Sequence, residues 1–156
     1  MFSIIAAVGK NNALGKNNDL IFHIKEDMDF FRKTTTGHKV VMGSKTWDSL
    51  PAKLKNRENI VISRHNIPEA DKTVNNLEDY IAKNIDTQEE IFIIGGGSIY
   101  AQFLPYAKHL YLTEVDSEPE ADVFFPEFDK RFYRRKKIKH GKQGELEYSI
   151  VKYTKK

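Results

Sequence analysis

The stretch Glu90 to Tyr106, EIFIIGGGSIYAQFLPY, constrains the fold of this 156-residue chain more than any other, because an apolar run breaks on three consecutive glycines and resumes at helical spacing. Ile91 to Ile94 are β-branched or aromatic and too few for a helix of their own, so they read as a buried strand. After the glycines, Ile99, Tyr100, Phe103 and Leu104 fall on one face of a helix that stops near Pro105. Without Cβ atoms, Gly95, Gly96 and Gly97 let the backbone approach a ligand closely, and the helix behind them turns unpaired N–H groups toward an anion. A tight turn is the plainer alternative. The dinucleotide fingerprint G-x-G-x-x-G fails because Tyr100 stands at the third glycine, and Asp116 imitates its ribose-binding acid only if the rest of the chain is a doubly wound parallel sheet.

The strand–glycine–helix pattern recurs upstream. His38 to Met42 carries an apolar strand that ends on Gly43 and passes into a short helix, Ser44 to Leu50, stopped by Pro51. Ser44, Lys45 and Thr46 offer two hydroxyls and a cation to a phosphate, although Ser or Thr at a helix start is also an ordinary cap. Asn59 to Ser63 forms a third buried strand, ending on Ser63, Arg64 and His65. Polar and cationic groups thus gather at the C-terminal ends of successive strands, the edge where sheets with crossover helices bind ligands. Arg57, just before the third strand, either serves a carboxylate or solvates its loop.

Phe2 to Val8 reads as a strand buried on both faces, with room beside Ala6 and Ala7. Gly9 to Leu20 is rich in Gly and Asn, lacks periodicity, and reads as a loop long enough to be a lid. Ile24 to Thr35 reads as a helix with Ile24, Met28, Phe31 and Thr35 on one face. Asp27 breaks that pattern, since at 100° per residue its carboxylate shares the face that should be apolar. It is either a first-turn acid favoured by the helix dipole or a carboxylate held in a pocket, its pKa open to tuning by burial.

Further on, Thr73 and Val74 form a short strand, and Asn76 caps a helix to about Lys83 with Asp79 completing a capping box. His109 to Val115 is a strand, Ser117 to Asp122 an acidic loop. The end of the chain reads as a hairpin, Phe132 to His140 and Leu146 to Tyr153, turning through Gly141 and Gly144. The fold class is therefore α/β, with a mainly parallel sheet that ends antiparallel, in one domain spanning 1–156. The basic run from Arg134 to Lys139 is a solvated strand rather than a nucleic-acid patch, offset by Glu145 and Glu147, and a net charge of +3 is too mild to imply such a partner. The chain has no cysteine, which excludes disulfides and thiolate chemistry, and its histidines lack metal-ligand spacing, so no metal is expected. No apolar stretch nears the roughly 20 residues of a membrane span, and a cytoplasmic protein is expected.

With those residues placed, the chain resembles bacterial dihydrofolate reductase. The similarity is densest in SIIAAV at 3–8 with Ala13-Leu14-Gly15, Asp27 with Phe31, VVMGSKTWDSLP at 40–51 followed by NREN and VIS, and IIGGGSIYAQFLP at 93–105 leading to LYLT. The resemblance implies an eight-stranded mixed sheet flanked by four helices, acting as a monomer on dihydrofolate and NADPH with no nucleic acid or membrane involved. Hydride would pass to C6 of the pterin, with protonation at N5. Asp27, Thr113 and Phe22 would form the catalytic set. Ile5, Ala6, Met28, Phe31, Arg32, Leu50, Leu54, Ile94 and Tyr100 would line the substrate, with Arg57 on its glutamate carboxylate. Ala7, Leu14, Gly15, Asn18 and Leu20 would surround the nicotinamide. Gly43, Thr46, Gly95, Gly96, Gly97, Ser98, Ile99, Tyr100 and Gln102 would hold the pyrophosphate region, and Ser44, Lys45, Ser63 and Arg64 the 2′-phosphate. Three positions depart from the family pattern: Ile21-Phe22 replaces Pro-Trp, Ser44 a basic residue, and Ala121 a glycine. A riboflavin-pathway reductase is the nearest enzymatic rival, and a noncatalytic nucleotide-binding module the rival from another class.

Overall fold

Phe2–Val8 (β1) runs near the middle of the main sheet in this computed structural model, which describes residues 1–17 and 19–156. To one side lie Ile91–Gly95 (β7), Lys39–Gly43 (β4), Glu58–Ile62 (β5) and Lys72–Val74 (β6), each parallel to its neighbour. To the other lies Ala107–Val115 (β8), also parallel to β1, followed by the antiparallel Leu146–Lys155 (β11) and Tyr133–Gln143 (β10). The sheet therefore has eight strands, the number the resemblance implies, and is parallel through its centre and antiparallel at the C-terminal edge, as the residue pattern predicts.

Four α-helices cover the two faces among the described residues: Lys25–Thr35 (α1), Ser44–Ser49 (α2), Leu77–Asn84 (α3) and Gly97–Phe103 (α4). Alternation along each strand sends Phe2, Ile4, Val41, Ile60, Ile93 and Leu110 to the face packed by Tyr80 and Ile81 of α3 and by Ile99, Tyr100 and Phe103 of α4. Ile5, Val40, Met42, Val61 and Phe92 point the other way, against Phe30 and Phe31 of α1 and Trp47 of α2. The N-terminus of α3 forms as expected, the Asn76 side chain accepting a 3.0 Å hydrogen bond from the Asp79 N–H. No described helix is long and apolar enough to cross a membrane.

Four local expectations are corrected. The segment from Gly9 to Leu20 is not a plain loop: Ala13–Lys16 (β2) pairs with Asp19–Leu20 (β3) and with Val123–Phe124 (β9) in a small second sheet. Strands this short carry no periodicity, and one partner lies more than a hundred residues away. Along the expected helix face, Ile24 at the N-cap of α1 and Thr35 at its end are buried, but Met28 is 58% exposed and packs into none of the apolar clusters. Gly141 stays inside β10, paired with Tyr148, and the hairpin turns at Gly144, whose φ is 61°. The acids that offset the basic run are Glu114, bound by Arg135 at 2.8 Å, and Glu26, paired with Lys139, rather than Glu145 and Glu147.

One buried polar side chain positions the loop before β5. Asn59 is fully buried; its carboxamide donates to the carbonyls of Leu54 at 2.8 Å and Arg57 at 2.9 Å and accepts from the Leu54 N–H at 3.0 Å. The loop bearing Leu54 and Arg57 is thereby tied to the sheet. Truncation would leave these backbone groups unpaired in the interior, so Asn59→Ala is expected to lower stability by about 2–4 kcal/mol. Urea denaturation checks this; a loss below about 0.5 kcal/mol would show that the loop is held by other means.

Candidate functional site

Where β1 and β8 run side by side, Ile5 lies opposite Tyr111 and Ala7 opposite Thr113. Helix α1 crosses this face, Phe30 lying 6.2 Å from Tyr111 between ring centroids, and brings Asp27 over Thr113. The Thr113 hydroxyl donates to an Asp27 carboxylate oxygen at 2.5 Å. Burial pushes the Asp27 carboxyl above its ordinary range, with the Thr113 hydrogen bond pulling partly back. Such a group can accept hydrogen bonds from a ligand's amino and ring N–H groups while remaining able to take or release a proton.

Tyr100 of α4 approaches the same place from the opposite face. Its hydroxyl donates to the Ile5 carbonyl at 2.8 Å, using one of that oxygen's two lone pairs. Burial first, and then the Asp27 charge, push the Tyr100 pKa up, so it stays a neutral donor. Ile5, Phe31, Leu50, Leu54 and Ile94 belong to one apolar cluster on the α1 side. Ala6 packs into the opposite cluster, so its side chain is not brought to this wall.

Helix α1 supplies a ruler. Asp27, Phe31 and Thr35 follow at four-residue steps on one face, spanning roughly 12 Å at 1.5 Å per residue. At the far end the Arg57 guanidinium donates to the Thr35 hydroxyl at 3.2 Å and lies 5.9 Å from the centre of the Phe31 ring. Burial, then the charge of Arg32, brings the Arg57 pKa down, although a guanidinium stays charged. No acid pairs with Arg57 among the described residues, while Arg32 contacts Asp29 at 3.4 Å. The half-buried Arg57 therefore offers a cation to an incoming anion, with an aromatic and an acid at measured steps beyond it.

On the other side of Ile94, three adjacent strands, β7, β4 and β5, end at Gly95, Gly43 and Ile62. Gly95 has φ 131°, and a Cβ there would meet Thr46 Oγ1 at 3.4 Å and the Tyr100 hydroxyl at 3.5 Å. The Gly95–Gly96 peptide is cis. At Gly97 a Cβ would lie 2.9 Å from Val123 Cγ1 and 3.2 Å from the Phe124 carbonyl, so β9 lies across the glycine turn. Ile99 packs against Gly43. Ser98 accepts from Gln102 Nε2 at 3.2 Å, both exposed. Lys45 and Arg64 are exposed with no acid partner among the described residues, as is Ser44, and the Ser63 hydroxyl accepts from the His65 N–H at 3.1 Å. A Cβ-free cradle flanked by hydroxyls and two unneutralised cations suits a dinucleotide with several phosphates.

The β2–β3 pair carries buried Leu14 and Gly15 and a Leu20 that is 66% exposed, while Asn18 lies outside the described residues. Phe22 packs with Ile24, Val115, Tyr148 and Ile150 and has no polar atom to offer a ligand. Asp116 is paired with Lys10 and so is not left open to a ribose. Asn59 was not among the residues read from the sequence as functional; a lone amide inside the apolar strand ENIVI was its signal. Two concave surfaces lie elsewhere, about 490 Å³ between α1 and the C-terminal hairpin and about 390 Å³ beside Lys10 and Glu114. Neither is lined by Asp27, Thr113, Arg57 or the glycine turn, so the chemistry rather than the concavity points to the site.

A family model described as dihydrofolate reductase matches residues 1–155. The dihydrofolate reductase of Bacillus subtilis (strain 168) is 36% identical over 163 residues, covering 100% of this chain and 95% of the relative. That of Neisseria gonorrhoeae is 45% identical over 139 residues, covering 85% of this chain and 83% of the relative. Dihydrofolate reductase HdrB of Haloferax volcanii is 33% identical over 166 residues, covering 99% and 84% respectively.

The raised Asp27 pKa has a defined sign for stability. Between the ordinary value of 3.8 and the raised one, the folded state binds more protons than the unfolded state, so this group's contribution falls as pH rises. Above the raised value the cost is complete. Asp27→Asn keeps an oxygen to accept from Thr113 and removes the charge, so it is expected to melt higher than wild type at pH 7, with the gap closing in acid below the ordinary Asp value. Scanning calorimetry across pH checks this, and an equal or lower melting temperature at pH 7 would contradict it.

Proposed function

The chain belongs to the dihydrofolate reductase family, and from that premise we infer how its own residues serve the family's reaction. It is an oxidoreductase that reduces 7,8-dihydrofolate to 5,6,7,8-tetrahydrofolate with NADPH as cofactor. The observation that carries the assignment of residues is the α1 ruler, in which a half-buried carboxyl, an aromatic ring and an Arg57-bound hydroxyl follow at equal steps. A pterin, an aminobenzoyl ring and a glutamate carboxylate present the complementary groups in the same order.

In this reading Asp27 accepts from the pterin's amino group and ring N–H and assists the proton that enters at N5 by way of water. Thr113 holds the carboxyl in place, and the carbonyls of Ile5 and Ile94 face the amino group. Met28, Phe31, Leu50 and Leu54 grip the two rings, and Arg57, with Arg32 beside it, takes the glutamate. Bound NADPH supplies the hydride that adds at C6. Ala7, Leu14 and Leu20 shield the nicotinamide from water; Thr46 and the glycine turn hold the pyrophosphate; Lys45, Ser63 and Arg64 read the 2′-phosphate. Placing the reacting carbons together and excluding water are the protein's contributions, since the hydride chemistry belongs to the cofactor.

The working form we infer is one domain over residues 1–156 acting as a cytoplasmic monomer that does not bind nucleic acid. The main sheet draws strands from Phe2 to Lys155, and Arg135 and Lys139 of the basic run are already paired with acids. The lack of cysteine suits a reducing compartment.

Asp27→Asn is expected to cut turnover of dihydrofolate about 100-fold or more while leaving the NADPH dissociation constant within about twofold. Equal damage to both would mark a structural acid. Arg64→Leu should narrow the preference for NADPH over NADH by about tenfold, the scale of one charge-assisted phosphate contact. An unchanged cofactor ratio would place the 2′-phosphate elsewhere.

A further inference from the structure

The first turn of α1 carries Asp27, yet little within the helix fixes that turn. Its N-cap is Ile24, which has no side-chain oxygen to accept from the first N–H groups, and the buried residue of the helix is Thr35 at the far end. The anchors come instead from the C-terminal hairpin. The Gln143 carboxamide accepts from the Lys25 N–H at 2.8 Å and donates to the His23 carbonyl at 3.1 Å, capping the helix from another element. The Tyr148 hydroxyl donates to Glu26 Oε1 at 2.7 Å, and Lys139 pairs with the other Glu26 oxygen. Glu26 is the residue next to Asp27, so whatever holds its side chain acts one Cα step from the reacting carboxyl.

Gly141 permits this arrangement. It is the ladder partner of Tyr148, and a Cβ there would lie 2.5 Å from both Cζ and the hydroxyl of Tyr148 and 2.7 Å from Glu26 Oε1. The tyrosine ring therefore crosses its own partner strand to reach α1, over the one residue type that leaves space. The hydrogen bond to Glu26 raises the Tyr148 hydroxyl to about 12, so it remains a donor at neutral pH, and the charge of Asp27 adds to that rise. Lys139, followed by the Tyr148 hydrogen bond, lowers the Glu26 pKa, so the acceptor is ionised.

We propose that Glu26 and Tyr148 are positioning residues for Asp27, their hydrogen bond across Gly141 setting where the neighbouring carboxyl stands against Thr113. The inference rests on Asp27 being the acid of the reaction. A catalytic group must be held within about 0.5 Å of its productive place, and a helix turn without a cap of its own does not supply that precision.

The test uses Tyr148→Phe, which keeps the ring, Glu26→Ala, which removes the acceptor, Glu26→Gln, which retains one, and the Glu26→Ala/Tyr148→Phe double variant. Single-turnover NADPH oxidation with dihydrofolate and the NADPH dissociation constant are measured for each, in wild-type and Asp27→Asn backgrounds. Tyr148→Phe and Glu26→Ala are each expected to slow the single turnover about three- to tenfold with NADPH affinity within about twofold, and Glu26→Gln to stay within about twofold of wild type. The double variant should be no slower than the slower single, because the Tyr148–Glu26 bond is lost in both singles. None of the losses should persist on Asp27→Asn. Unchanged rates in both singles, losses that multiply in the double, or undiminished slowing on Asp27→Asn would each overturn the proposal. Absence of turnover by the wild type would instead strike the assignment of the reaction, which keeps the two failures distinct.

Discussion

The rest of the site depends on a half-buried carboxyl held beside a single hydroxyl. Burial costs the ionised form of Asp27, and the Thr113 hydrogen bond compensates only in part, so the carboxyl is neither an ordinary surface anion nor an inert buried acid. That balance requires α1 and β8 to meet at a fixed distance. The parallel pairing of β1 with β8 puts Thr113 level with Ala7, and the contact of Phe30 with Tyr111 lays the helix over that pair. The residues that the proposed reading gives to the substrate, from Phe31 to Thr35 and the Arg57 bound to it, are then metered along α1.

Tyr100 joins this half of the site to the other. One hydroxyl reaches through to the Ile5 carbonyl, the same ring lies under Gly95, and its pKa is raised in part by the Asp27 charge. The strand end at Gly95 and the carboxyl of Asp27, the phosphate cradle and the pterin-facing acid of the proposed reading, therefore share a single buried side chain. A central parallel sheet makes this economical, because adjacent strands deliver Gly43, Ile62 and Gly95 to one edge while β1 stands next to all that lies on the acid side.

How far this was legible from residues alone varied with the range of the interaction involved. The strands around Ile4, Val41, Ile60 and Ile93 and the helices beginning near Lys25 and Asn76 follow from local periodicity and capping, and their bounds agree with the structure within a few residues. Asp27 was visible as the residue that spoils an apolar face. Its partner was not, since Thr113 lies 86 positions away and only the family resemblance paired them. The same limit hid the small sheet of β2, β3 and β9, whose strands are too short to show a period, and the acid partners of Arg135 and Lys139, which come from β8 and α1 rather than from the neighbouring hairpin strand. Met28 looked like core because helical spacing reports which face a residue takes and not whether anything covers it. Gly141 looked like a turn residue, when its role is to let Tyr148 cross β10.

The most direct measurement of the central claim is nicotinamide absorbance with the purified wild-type protein, NADPH or NADH, and dihydrofolate. Rapid loss of the reduced-nicotinamide signal is expected only when dihydrofolate is present, with NADH a much poorer donor than NADPH. No dihydrofolate-dependent oxidation of NADPH would contradict it.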